Sequence, residues 1–300
     1  MSDLFEEIVE LPQSRAEERY AELVGLDEFK ERVAKEAEVL LLPERLREWS
    51  RTHHGDVIPA VKRMSRRPPL VVFAGDVGTG KTTLAETFGD EIARRLSQPL
   101  VVYRLSLRVR GSGAVGEMTK LLGDAFAEII SEATRTKGAG HILIIDEADA
   151  LAESRALSQM HHEDRAGVNA LIRGIDQVTE SSSPILVVMI TNRESALDPA
   201  VLRRAAAVLK FERPTLEQRL LVLRSGLTGI GLDEEQLQRL ASLTGGEEQG
   251  TPYGHSYSDL VDRVIPAAIL AAYPDRSVSV DLLETEVRKH PATKPFDVGQ

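Results

Sequence analysis

One stretch of this 300-residue chain has the residue types and spacing that phosphate chemistry requires. It fits the pattern G-x-x-x-x-G-K-[ST], follows an apolar run at residues 70–74 and opens a helix-like segment. Glycines let consecutive backbone N–H groups turn inward around an anion, and a helix N-terminus adds partial positive charge. We therefore predict that it binds a nucleoside triphosphate. The stretch, with the residue that follows it, is Gly75, Asp76, Val77, Gly78, Thr79, Gly80, Lys81, Thr82 and Thr83.

Lys81 and Thr82 have different chemical tasks in this pattern. The lysine amine reaches the β- and γ-phosphates, and the threonine hydroxyl is a ligand for Mg²⁺. The alternative is a glycine-rich turn that matches by chance. The strand-like run before it and the helix-like segment after it argue against chance.

Two further apolar runs end in polar residues. One run, at residues 141–145, leads into Asp146 and Glu147, and another leads into Asn192. Adjacent carboxylates at the end of a buried strand indicate a nearby cation or partner charges. We predict that Asp146 completes the Mg²⁺ shell, that Glu147 polarises the attacking water, and that Asn192 hydrogen-bonds the γ-phosphate. The alternative is an ordinary strand end with solvated acids.

The surrounding elements indicate an α/β fold. Five apolar, strand-like runs alternate with helical segments, which predicts a parallel sheet covered on both faces. Ligands of such sheets bind at the carboxyl ends of the strands. Strand signals stop after Pro214, and helical patterns follow. The strand-like runs are 70–74, 100–105, 141–145, 185–190 and 207–211, and the later helical patterns are 216–227, 233–243 and 257–272.

Composition narrows the function. The chain is 42% hydrophobic and 28% charged, and it has no cysteine, which excludes disulfides, thiol catalysis and cysteine-ligated zinc. The net charge of −10 disfavours non-specific binding to nucleic acid, so we interpret the basic run at 62–67 as a solvated loop. The N-terminus lacks a signal-peptide core, and the longest apolar stretch, 264–273, is too short to span a bilayer. We expect a cytoplasmic protein without membrane partners.

The motifs resemble those of the AAA+ ATPases in kind and in order. The acidic pair is followed by Thr191 and Asn192, and then by Asp-Pro-Ala-x-x-Arg ending at Arg203. The resemblance implies ATP and Mg²⁺ as cofactors, and a five-stranded sheet between helices followed by a helical lid. It also implies that Val24 and Gly25 lie on the adenine side. We expect an N-terminal arm at 1–21, a large α/β domain at 22–213, a lid at 214–290 and a tail at 291–300.

The same resemblance implies a ring. Arg203 falls on the position of the arginine finger, which reaches the γ-phosphate of the neighbouring subunit, so a homohexamer is expected. Arg204 either shares that role or is a surface charge. Ala206 stands where many relatives have a second arginine.

Residues 164–176 and 258–266 are similar to helices of the pachytene-checkpoint ATPases, which remodel HORMA-domain proteins. Short bacterial members occur with HORMA proteins and CD-NTase-like nucleotidyltransferases in CBASS anti-phage systems. The implied function is ATP-driven disassembly or conversion of a HORMA partner. The lid arginine of that family aligns with Leu260. Arg263, one turn further, either contacts nucleotide in its place or is an ordinary exposed arginine.

Two segments are expected to face substrate. Arg108, Val109 and Arg110 lie where AAA+ rings place the pore loop, although an ordinary flexible turn is the alternative. His161 and His162 belong to a second such loop at 153–164 rather than to a metal site. Two other functions stay open at this stage: a nucleic-acid-acting switch of the clamp-loader or initiator type, and a general unfoldase.

Overall fold

The computed structural model describes residues 4–106, 116–136, 138–148 and 163–296. The predicted pore loop at 108–110 and the histidines at 161–162 lie outside the described residues. Tertiary contacts divide the chain into two compact units. The first contains Glu28–Ala74 and Thr82–Lys210 together with the N-terminal segment, and the second contains Ala21–Asp27, Gly75–Lys81 and the chain from Phe211 onward.

A six-stranded sheet is the centre of the α/β part, and the predicted α/β class is confirmed. The order of the strands is β1-β3-β4-β5-β2-β6. β3 pairs in parallel with β4, β4 with β5 and β5 with β2, whereas β1 pairs antiparallel with β3. The strands are β1 (Glu7–Leu11), β2 (Leu70–Gly75), β3 (Leu100–Ser106), β4 (Gly140–Asp146), β5 (Ile185–Thr191) and β6 (Ala207–Phe211).

The central strands are apolar because both of their faces are covered. All seven residues of β5 are buried, as are five of the six in β2. The helices Glu117–Arg135 and Glu163–Ser181 pack closely against each other. A Cβ at Gly174 would lie 2.1 Å from Cδ2 of Phe126, so glycine permits this close approach.

The first strand differs from the expectation of an arm at residues 1–21. Glu7–Leu11 joins the sheet, and the ring of Phe5 lies edge-on to Tyr103 with centroids 5.1 Å apart. Charged side chains are common on an edge strand, so the glutamates of β1 are compatible with the sheet. They also break the apolar pattern by which the other strands were predicted.

The basic run also differs from the expected loop. A helix covers Pro59–Met64, with the proline in its first turn and Val61 buried beneath it. Proline at this position has the φ angle that a helix start requires. The helices from the N-terminus through the α/β part are Ser14–Ala21, Asp27–Leu41, Pro43–His54, Pro59–Met64, Lys81–Leu96, Glu117–Arg135, Glu163–Ser181 and Pro199–Leu202.

The C-terminal part is helical and has its own core. Leu216–Gly226 and Glu234–Leu243 each begin with a capping box, formed by Thr215 with Gln218 and by Asp233 with Gln236. The segment predicted at 257–272 is a π-helical turn, Asp259–Val264, followed by Ile265–Ala272.

Pro266 lacks the N–H group that a regular helix would use at that junction. In this part of the chain, the helix Val280–Lys289 was not predicted. Among the helices of the described residues, none has the length and apolarity needed to cross a membrane.

Candidate nucleotide site

The phosphate loop adopts a backbone that requires glycine. Gly75, Gly78 and Gly80 have φ angles of 149°, 73° and 88°. A Cβ at Gly75 would lie 2.0 Å from the carbonyl oxygen of Phe211, and one at Gly78 would lie 2.6 Å from Oγ of Ser256. Side chains at these positions would therefore force the loop open.

Lys81 lies inside the loop that it closes. Lys81 is only 4% exposed, and its Nζ donates a hydrogen bond to the carbonyl oxygen of Asp76 at 2.6 Å. Oγ1 of the buried Thr79 lies 3.4 Å from the same amine. This buried cation within a glycine loop fits a phosphate ligand.

The segment before the first long helix packs against this loop within the second unit. Cδ1 of Leu26 would lie 2.8 Å from a Cβ at Gly80. The carbonyl oxygen of Gly25 accepts hydrogen bonds from Nε2 of Gln218 at 2.9 Å and from the Tyr257 hydroxyl at 3.3 Å. Burial, with Asp27 nearby, raises the pKa of Tyr257 to about 12, so this hydroxyl remains a donor. The backbone carbonyl of Gly25, one of the two predicted adenine-side residues, thus binds side chains of the C-terminal helical part.

Thr82 and Asp146 meet within the first unit. Oγ1 of Thr82 lies 3.5 Å from Oδ2 of Asp146, whose side chain is 14% exposed. The other carboxylate oxygen accepts a hydrogen bond from the Glu147 N–H at 2.7 Å. Hydroxyl and carboxylate oxygens are the ligands that Mg²⁺ prefers, so the pair fits the predicted metal shell.

Glu147 has a left-handed backbone, with φ of 55°. This conformation costs a non-glycine residue about 1–2 kcal/mol. The neighbouring residues hold it in place, because the Ala148 N–H donates to the carbonyl oxygen of Ile190 at 2.9 Å. Strained residues of this kind cluster at functional sites. The predicted catalytic role of Glu147 remains a prediction.

Asn192 follows the strand next to that of Asp146. β4 and β5 are parallel, with Ile145 opposite Met189, so their polar ends lie at the same edge of the sheet. The hydroxyl of Thr191 accepts a hydrogen bond from the Arg193 N–H at 3.0 Å, which shapes the turn that presents Asn192.

Arg104 is a neighbour of Asp146 that motif reading missed. Its guanidinium lies 2.7 Å from a Glu86 oxygen and 3.8 Å from Oδ2 of Asp146. Glu86 also accepts a hydrogen bond from Arg19 at 2.6 Å. The available signal was a single cationic residue within the apolar run 100–105. Arg104 therefore adds a positive charge beside Asp146, although its shortest ion pair is with Glu86.

The structure distinguishes the two arginines after β5. Arg204 forms a bidentate ion pair with Asp176, in which Nε donates to Oδ1 at 2.8 Å and Nη2 donates to Oδ2 at 3.1 Å. Arg203 is exposed, and its side chain makes no hydrogen bond or ion pair with any described residue. Of these two arginines, only Arg203 can therefore reach a second molecule without breaking a hydrogen bond or ion pair among the described residues.

Arg263 lies in a polar cluster of the second unit. Its Nη1 donates to Oδ1 of Asp259 at 2.7 Å and to the Thr293 hydroxyl at 2.8 Å. Leu260, which we predict to align with the family's lid arginine, is fully buried. A nucleotide contact by Arg263 remains a prediction.

Comparison with known proteins places these features in a family. The model described as "ATPase family associated with various cellular activities (AAA)" matches residues 71–213. CD-NTase-associated protein 6 of Escherichia coli (strain MS 115-1) is 49% identical over 302 residues, covering 99% of this chain and 97% of the relative.

Two solved structures agree with this match. A chain of the E. coli MS115-1 HORMA:CdnC:Trip13 complex has a TM-score of 0.91 at 48% identity, with 99% of each chain covered. Rhizobiales Trip13 has a TM-score of 0.79 at 40% identity, covering 97% of this chain and 100% of that one. The chain therefore belongs to the AAA family of nucleotide-binding ATPases, and within it to the Trip13-like group that includes CD-NTase-associated protein 6.

Proposed function

We propose that this ATPase works as a homohexamer that disassembles or converts a HORMA-domain protein, and so regulates a CD-NTase-like nucleotidyltransferase of a CBASS system. The observation that carries the proposal is the similarity along nearly the whole chain to a component of a HORMA:CdnC:Trip13 complex. Coverage of 99% in both directions means that the similarity extends beyond the common AAA module.

The residues of the site have separate tasks in this proposal. Lys81 binds the β- and γ-phosphates of ATP, and the oxygens of Thr82 and Asp146 hold Mg²⁺. When bound, the metal supplies positive charge to the phosphate oxygens on which negative charge develops. Glu147 accepts a proton from the attacking water, and Asn192 orients that water against the γ-phosphate.

Arg203 carries the argument for a ring. An exposed guanidinium that makes no hydrogen bond or ion pair with the described part of its own chain is suited to a neighbour's γ-phosphate. A finger of this kind is worth about 10³–10⁵ in rate. Each active site would then combine residues of two subunits, which a closed ring supplies for every subunit.

A substrate trap tests the proposal. Glu147→Gln is expected to bind ATP but to hydrolyse it about 10²–10⁴ times more slowly, because the amide cannot accept the proton. In ATP, the tagged trap should retain a purified HORMA protein from the same source, whereas Lys81→Ala should not. The same trap in ADP is the matched nucleotide control.

Two results would overturn the proposal. Normal hydrolysis by Glu147→Gln removes the catalytic assignment. Retention of DNA or of a protease from cell extract, with no binding of the HORMA protein, supports instead a clamp-loader-like switch or a general unfoldase.

A further inference from the structure

Arg213 connects three separate segments of the second unit. Its Nε donates to Oδ2 of Asp76 in the phosphate loop at 2.6 Å. Its Nη1 and Nη2 donate at 2.6 Å to the carbonyl oxygens of Gly254 and Thr293. The guanidinium also lies 4.9 Å from the ring centroid of Tyr253. The side chain is only 11% exposed, so the contacts are not those of a solvated surface arginine.

Asp76 links Arg213 to the backbone of the phosphate loop. While Oδ2 binds Arg213, Oδ1 accepts a hydrogen bond from the Val77 N–H at 2.8 Å. The same oxygen accepts a hydrogen bond from the Phe296 N–H at 3.1 Å. The carboxylate therefore fixes the first turn of the phosphate loop between an arginine and the C-terminal segment. Its side chain is 15% exposed.

A second buried carboxylate anchors the same C-terminal segment. Asp259 is 2% exposed and accepts hydrogen bonds from the Thr293 N–H at 3.1 Å and from the Thr293 hydroxyl at 2.5 Å. It also pairs with Arg263 at 2.7 Å. Burial raises the pKa of Asp259, but the hydrogen bonds from Thr293 and Ser256 outweigh burial and lower it to about 2. Asp259 is thus charged at neutral pH.

Lid residues contact the loop directly as well. The Ser258 N–H, one residue before Asp259, donates to the carbonyl oxygen of Gly78 at 3.1 Å. The phosphate loop is therefore held at Gly78 by the lid and at Asp76 by Arg213 and residues 291–296. The second of these contacts is absent from the motif that predicts nucleotide binding.

We propose that Arg213 is a positioning residue for nucleotide binding, acting through Asp76, and that residues 291–296 form a C-terminal strap that completes this contact. Arg213 does not touch the nucleotide. It holds the carboxylate that orders the start of the loop, so the loop is ready to bind phosphates only when the strap is seated. The inference rests on the proposed role of residues 75–82 as the ATP site.

The test compares nucleotide affinity with turnover. Asp76→Asn keeps an oxygen for the Val77 and Phe296 N–H groups but weakens the ion pair, and Arg213→Met removes the guanidinium. Each should weaken binding of mant-ATP, and raise KM for ATP, about tenfold with little change in kcat. The double variant should be no worse than Arg213→Met alone, because both changes break one contact.

Two deletions test the strap. Removing residues 291–300 should weaken mant-ATP binding to a similar extent, whereas removing only 297–300 should not. Thermal melts identify any variant that fails to fold. If Arg213→Met fails to fold, the nucleotide affinity of Asp76→Asn tests the role of the contact between the two residues. A role in folding alone would lower Tm but leave KM unchanged in the folded variants.

Failure of this inference can be distinguished from failure of the ATP site. Lys81→Ala must lose mant-ATP binding if residues 75–82 are the site. If it does, while folded Asp76→Asn and the 291–300 deletion keep the affinity of the unmodified chain, the strap proposal is wrong. If Lys81→Ala still binds normally, the site itself is wrong.

Discussion

The hydroxyl oxygen of Thr82 lies 3.5 Å from Oδ2 of Asp146. Thr82 is in the first turn of the helix Lys81–Leu96, and Asp146 is the last residue of β4. The end of one strand and the start of one helix therefore present two oxygens to the same point. Neither oxygen has to move far to share a cation.

Asp146→Asn is expected to raise the Mg²⁺ concentration needed for half-maximal ATPase activity by about 10–100-fold, because the site loses an anionic ligand. A magnesium titration at saturating ATP measures the change. Asp124→Asn is the matched control, since Asp124 is exposed on the helix Glu117–Arg135. An unchanged titration midpoint for Asp146→Asn would show that another group holds the metal.

Arg203→Ala is expected to lower the ATPase rate about 10³-fold while ATP still binds, because the γ-phosphate loses a charge supplied by the neighbour. Mixing it with inactive Glu147→Gln should restore part of the activity, since some sites then combine an intact finger with an intact glutamate. Activity of the mixture at various ratios measures this.

Arg204→Ala provides the contrast. Its ion pair with Asp176 lies within one chain, and both side chains are substantially exposed, at 32% and 44%. We expect a loss of stability of roughly 0–1 kcal/mol and no rescue upon mixing. If mixing rescued Arg204→Ala while Arg203→Ala kept full activity, Arg204 would be the finger and Arg203 the surface charge.

His141 predicts a pH dependence of stability. It is 1% exposed, and its Nδ1 lies 3.3 Å from the Tyr103 hydroxyl. Within the described part of the chain, its buried Nε2 has no hydrogen-bond partner. Burial lowers the pKa of His141 below its ordinary value of 6.5, and the charge of Glu132 opposes this only in part. The folded state therefore holds the ring neutral.

The direction in which pH changes the free energy of unfolding follows from proton uptake by His141. Below pH 6.5 the unfolded chain binds a proton that the folded chain resists. The free energy of unfolding should thus fall by up to about 1.4 kcal/mol for each pH unit below that value. Urea unfolding between pH 7.5 and 5.5 measures the slope. His141→Phe should flatten it, and the same slope in this variant would assign the dependence to other groups.

The local signals in the sequence explain which predictions succeeded. The five predicted strands lie within one residue of their observed bounds, because each is a largely apolar run with at most one charged residue. β1 has two glutamates among five residues, and its position depends on pairing with β3 rather than on its own pattern. The helix Pro59–Met64 was read as a loop because its charged residues concealed one buried valine.

Some residues of the candidate site could likewise be predicted from local sequence patterns, and others could not. Glycine, lysine and acidic residues at fixed spacing reveal a phosphate loop and its metal ligands because the chemistry itself requires that spacing. Arg213 has no such signal. Its partners Asp76 and Thr293 are 137 and 80 residues away in the chain, so only the folded structure brings them together.

The antiparallel first strand has a practical consequence for expression. β1 covers the outer side of β3, which would otherwise present a row of unpaired N–H and C=O groups. A chain shortened to begin at residue 22 would keep its ATP-binding motifs but expose that row and uncover Tyr103. We expect such a truncation to form aggregates through strand-to-strand pairing, even though the residues removed take no part in the chemistry.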